Sequence, residues 1–216
     1  MSRWWICGLG ILLLLAVACG PGRQDQENEL RYGGPIEFGI SQGEFLPGTG
    51  IQYLARTEEG AQVSIGGQQA LKKIGDSLNW VFNPVDGVAA DLGLRIVLFT
   101  GEELHVLGTA KIIIQEAAPQ PGEIDDSAPI RYKLPVDYTI ERGERIPGTG
   151  ITYLGQTEQG AHLGNIDGYS YREIGDSIVW KGQLRDDVWL ELNLRTVFIG
   201  EDALNVAGTG ELFITP

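Results

Sequence analysis

The chain has 216 residues, 43% of them hydrophobic, enough apolar material for a packed core in one or two domains. Its formal net charge of −13 argues against nucleic acid as a partner, because phosphate binding needs clustered Lys and Arg that are absent here. An acidic surface favours solubility and repels anionic partners.

The N-terminus reads as a targeting segment. Arg3 precedes an almost wholly apolar run from Trp4 to Ala18, too short to span a bilayer comfortably. The run closes on Leu15-Ala16-Val17-Ala18-Cys19-Gly20. Small residues before a cysteine resemble the lipobox of bacterial lipoprotein precursors. The resemblance implies that residues 1–18 are a signal peptide and that Cys19 is acylated as the new first residue, carrying palmitate-type chains. Cys7 would leave with the signal, so the mature chain has one cysteine and no disulfide framework. More than one acyl chain makes a stable anchor. The expected location is the cell envelope, lipid-anchored to the membrane, and Gly20 after the cysteine points to the outer membrane if the bacterium is diderm.

Residues 19–29 form the lipidated cysteine and a flexible tether, since Gly20 to Glu29 contains no large apolar residue. From Leu30 the chain repeats itself at an offset of one hundred. About 33 of 86 aligned positions between 30–115 and 130–215 are identical, with no gap. Leu46-Pro47-Gly48-Thr49-Gly50-Ile51 and Ile146-Pro147-Gly148-Thr149-Gly150-Ile151 are the most recognisable stretch. The predicted organisation is therefore β-domain repeat 1 at 30–115, a Pro-rich linker at 116–129 and β-domain repeat 2 at 130–216.

Within each copy the apolar period is two. Ile36, Phe38 and Ile40 alternate with polar or small residues, as do Val136, Tyr138 and Ile140. Val88, Ala90, Leu92, Leu94 and Ile96 fall on one face of a long strand, matched by Val188, Leu190, Leu192, Leu194 and Thr196. Gly- and acid-rich turns, such as Thr100 to Glu103, separate such runs as hairpin signals. No stretch of the mature chain has helical periodicity. The fold class is all-β, two tandem homologous antiparallel sandwiches or barrels of six to eight strands each.

Several motifs invite a chemistry and lack its other parts. Gly75-Asp76-Ser77-Leu78 resembles the signature of the GDSL esterases, and Gly175-Asp176-Ser177-Ile178 repeats it. That family needs a late Asp-x-x-His, which this chain does not contain, and a serine nucleophile needs a base. Both tetrads read as turns feeding strands. Pro-Gly-Thr-Gly lacks the Lys-Ser/Thr and helix of a phosphate loop. His105 and His162 are unmatched between copies and leave no metal-ligand spacing. No catalytic residue, metal or cofactor is implied. Arg95 and Arg195 lie mid-strand opposite the leucines, and are expected to meet a cross-strand acid or a turn.

The functional hint lies where the copies differ. The second has Trp189, Glu191, Asn193 and Arg195 along one outward strip, and Tyr169 and Tyr171 where the first has Gln69 and Leu71. Exposed aromatics beside hydrogen-bonding groups suit a sugar or a peptide. These six residues are the expected ligand surface, unless Trp189 packs under its own loop. The partners expected are the lipid bilayer, through Cys19, and an envelope protein or glycan. The reading is a lipoprotein with a non-catalytic binding or structural role. An exported hydrolase using paired carboxylates drawn from Asp176, Asp186 and Glu191 is the first alternative. A structural subunit of an envelope assembly is the second.

Overall fold

The computed structural model describes residues 29–216. The segment expected to be a signal peptide, Cys19 and residues 20–28 of the expected tether lie outside the described residues. Every regular element described is a strand, and every pairing is antiparallel. In the first copy these are β1 (Leu30–Ser41), β2 (Ile51–Arg56), β3 (Ala61–Ile65), β4 (Gln68–Lys72), β5 (Ser77–Phe82), β6 (Val88–Phe99) and β7 (Glu103–Ile114). The linker contributes β8 (Gln120–Pro121). The second copy contains β9 (Ile130–Glu141), β10 (Thr152–Thr157), β11 (Gly160–Gly164), β12 (Tyr171–Arg172), β13 (Ser177–Arg185), β14 (Val188–Ile199) and β15 (Ala203–Ile214).

Each copy is a pair of sheets, so the all-β expectation holds. A four-stranded sheet ordered β1-β7-β6-β5 accompanies the meander β2-β3-β4. A five-stranded sheet ordered β8-β13-β14-β15-β9 accompanies β10-β11-β12. The first and last long strands of each copy pair over their whole length, Leu30 with Ile114 and Ile130 with Ile214. The period-two residues named above turn inward: Leu92, Leu94, Leu192 and Leu194 are fully buried. Tyr53 and Tyr153 are buried too, and their hydroxyls donate to the carbonyls of Thr100 and Gly200, tying the meander to the β6–β7 and β14–β15 turns.

The Pro-Gly-Thr-Gly stretch is a closed turn. Leu46 N–H donates to Ile51 O at 2.8 Å and Thr49 N–H to Leu46 O at 3.0 Å. The Thr49 hydroxyl donates to Leu46 O and accepts from Ile51 N–H. The second copy repeats all four bonds. Gly48 and Gly148 sit at φ +75° and +77°, where a side chain is disfavoured.

Each turn is covered jointly, by a residue of its own copy (Phe82 over Gly48, Leu190 over Gly148) and by residues of the other copy. An added Cβ on Gly148 would lie 2.5 Å from the Tyr32 hydroxyl and 2.8 Å from Leu190. One on Gly48 would lie 2.7 Å from Ile130. Tyr132 reaches Pro47 O at 3.5 Å. The opening residues of β1 therefore seat on the second copy's turn, and those of β9 on the first copy's. Between these ends β1 and β9 run antiparallel side by side. Phe38 packs edge-on to Tyr132 at 6.2 Å, Gly34 abuts Pro135, and the Tyr32 hydroxyl faces Tyr138. β1 pairs only with β7 and β9 only with β15. Pro35 and Pro135, at the middle of each edge, have no N–H to extend a ladder across the seam. Side-chain packing joins the halves there, and their buried residues form one continuous cluster.

The proline-rich segment is laid along the second copy. Gln120 and Pro121 pair with Gln183 and Gly182 on the outer edge of β13, and Ala118 N–H donates to Leu184 O. Residues 122–129 must then cross to β9 on the opposite edge of the same sheet. Asp125 steadies that crossing by accepting from Ser127 N–H and Oγ at 2.9 and 2.6 Å, and from Thr215 Oγ1. Those bonds hold its carboxyl below the usual carboxylate range.

Three measurements test this packing. Gly148→Ala should lose roughly 2–4 kcal/mol in urea denaturation, through strain at positive φ and overpacking against Tyr32. Gly150→Ala, with open space around its Cβ, should change stability by under ~0.5 kcal/mol. Tyr32→Phe should be neutral or slightly stabilising, because its buried hydroxyl has no hydrogen bond at normal geometry. Burial, with Tyr138 adding to it, pushes the Tyr32 hydroxyl well above its ordinary value, and burial also raises Tyr132 and Tyr138. Unfolded tyrosines then release protons first. Stability should be intact below about pH 10 and fall as pH rises past it, as a pH series of denaturation midpoints would show.

Candidate functional site

The Gly-Asp-Ser tetrads are turns. Asp76 Oδ2 accepts from Lys73 N–H, and Asp176 Oδ2 from Glu173 N–H, both at 2.8 Å. Gly75 N–H donates to Ile96 O and Ile96 N–H to Asp76 O, so the turn is stitched to β6, and Thr196 does the same in the second copy. Arg95 Nη1 donates to Gly75 O at 2.9 Å, and Arg195 Nη1 to Gly175 O at 3.4 Å and to the Ser177 hydroxyl at 2.5 Å. The matched arginines thus bind a turn rather than an acid. Ser177 faces a permanent cation. His105 lies against Glu103 at 3.1 Å, and His162 stacks on Tyr171.

The outward face of the five-stranded sheet is built in rows by register. Gln183, Trp189, Phe213 and Arg131 form one row. The next is Lys181, Glu191, Glu211 and Lys133, followed by Val179, Asn193, Thr209 and Pro135. Arg195 occupies the row beyond, between Ser177 and Ala207. Trp189 is half-buried, and its neighbour Phe213 is only 3% exposed although it points away from the core. The Arg131 guanidinium lies 5.3 Å from the Phe213 ring and donates to the carbonyls of Asp126 and Ala128 in the crossing segment. The cation–π contact and the strap close this end of the strip. Glu191 is engaged by Lys181 at 3.0 Å.

Tyr169 and Tyr171 belong to a different surface, on the three-stranded sheet. His162 stacks on Tyr171 with centroids 4.8 Å apart and planes 19° apart, and Tyr169 leans on Tyr171 at 5.5 Å. Tyr169 is 65% exposed. Arg172 builds this platform from behind: Nη1 donates to the carbonyls of Tyr169 and Tyr171, and Nε to Ser177 O at 2.9 Å. The first copy has Gln62 and Gln69 in the equivalent places, hydrogen-bonded to each other at 3.0 Å. The six residues expected to form one ligand surface are therefore divided between two sheets. His162 and Arg172 are additions that sequence reading missed. Strand alternation places His162 outward, but only the β11–β12 register, His162 opposite Tyr171, joins them.

The acids of the hydrolase alternative are dispersed as well. Asp176 caps its turn, Asp186 is exposed in the β13–β14 turn and Glu191 is held by Lys181. An open groove of about 610 Å³ follows the β1–β9 seam, with Pro35, Phe38 and Leu107 facing Arg131 and Lys133. Comparison with family models, curated proteins and solved structures finds no match for this chain.

Trp189→Ala should lower stability by about 1–2 kcal/mol, because it opens a packed row beside Phe213. Tyr169→Ala should leave the melting temperature within a degree or two. Thermal denaturation of the two variants distinguishes a packing tryptophan from an exposed platform residue.

Proposed function

We propose that the chain is a membrane-anchored envelope lipoprotein whose duplicated β-fold has a non-catalytic binding or structural role. One observation carries the non-catalytic part. Four pairs of polar side chains retained in both copies, Thr49/Thr149, Tyr53/Tyr153, Asp76/Asp176 and Arg95/Arg195, bond the backbone of turns. A catalytic set converges on a substrate position instead. The anchor rests on the lipobox-like residues ending at Cys19. Among the surfaces where the copies differ, the Tyr169–Tyr171–His162 platform fits an envelope glycan best. Its flat rings suit the apolar face of a sugar, and Arg172 fixes them in advance.

The anchor is tested in a cell that processes lipoproteins. Wild-type protein should incorporate labelled palmitate and sediment with membranes. Cys19→Ser should take up no label and move to the soluble exported fraction. Label-free wild-type protein, or a Cys19→Ser variant still sedimenting with membranes, would defeat the assignment.

A further inference from the structure

Several exposed large apolar residues differ between the copies. Phe45 becomes Arg145, Val81 becomes Lys181 and Tyr169 replaces Gln69. Three pairs are exposed and apolar in both: Ile74/Ile174, Val97/Val197 and Leu98/Phe198, at 38–68% exposure. All three fall together. The bonds between Gly75 and Ile96, and between Gly175 and Thr196, bring each isoleucine beside the other two residues. A register shift at the same place in β6 and β14 supplies the valine as an extra outward residue. Burial in the core does not account for retaining these residues. A contact surface does.

The two patches differ in charge at one equivalent position. Lys73 precedes Ile74, whereas Glu173 precedes Ile174. Both side chains are exposed, and neither has an ion-pair partner among the described residues. Lys72 and Arg95 beside the first patch are matched by Arg172 and Arg195 beside the second, so Lys73 against Glu173 is the charge difference between them. Because β6 runs with β1 and β14 with β9, and β1 opposes β9, the patches lie at opposite ends of the molecule. They are too far apart to cover each other within one chain.

We propose that these patches bind one another between chains: Ile74, Val97 and Leu98 of one copy of this protein pack on Ile174, Val197 and Phe198 of a second. Lys73 then meets Glu173 at the rim. Matching apolar surfaces supply the affinity, and the opposite charges favour first-on-second over first-on-first pairing. The proposal is independent of the anchor and of the aromatic platform.

Sedimentation velocity on the purified exported chain carrying Cys19→Ser, over a concentration series, is the test. The wild-type sequence at these patches should self-associate. Lys73→Glu should weaken association at least about tenfold, by setting two acids against each other. Lys73→Glu combined with Glu173→Lys should restore it, and circular dichroism and melting temperature should be unchanged in both. A chain that stays monomeric at every concentration, or a Lys73→Glu variant that associates like its parent, overturns the proposal. So does a double variant no better than the single one. Monomeric protein that binds neutral phosphatidylcholine vesicles through Phe198 would assign the patch to a bilayer instead.

Discussion

The structure depends on a reciprocal exchange of cover. Each Pro-Gly-Thr-Gly turn is well bonded internally, yet its own copy covers its glycine only in part, through Phe82 or Leu190. Tyr32 and Leu30 complete the cover in the second copy, Ile130 and Tyr132 in the first. Burying a side chain of this size contributes about 1.5–3 kcal/mol. Four such contributions are comparable with the whole net stability of an ordinary domain, roughly 5–15 kcal/mol. The two copies are two sheet pairs by topology and one body by packing.

That arrangement explains why the duplicated stretch tolerates so little change. Glycine at position 48 or 148 answers both to a positive φ and to a neighbour from the other half. The prolines at 35 and 135 have a complementary effect. Two long edge strands brought side by side would otherwise continue one sheet, and removing donors at the centre keeps the seam a packing interface.

Much of the fold was legible because it is periodic. Alternation from Val88 to Ile96 fixes which face of β6 is inward, and the glycine-acid turns fix where hairpins close. The seam was not legible, since nothing in the sequence pattern of β1 and β9 ties Tyr32 or Tyr132 to the turn of the other copy. Alternation says which face is buried and nothing about what buries it. The proline-rich segment 116–129 read as a spacer by composition, whereas β8 forms because β13 has a free edge within reach. For the candidate surface, divergence between copies grouped residues that the fold places on two different sheets. Trp189 and Tyr169 are separated by the two layers of the fold, and a cross-strand histidine, His162, completes the aromatic platform.

The central claim is that the halves stabilise each other through the exchanged strands, and hydrogen exchange on a Tyr32→Ala variant tests it most directly. The substitution lies in the first copy. The account predicts that amide protection falls at Ile146 to Ile151 in the second copy, together with the start of β1. Loss confined to residues 30–115, with the second copy's turn as protected as before, would contradict it.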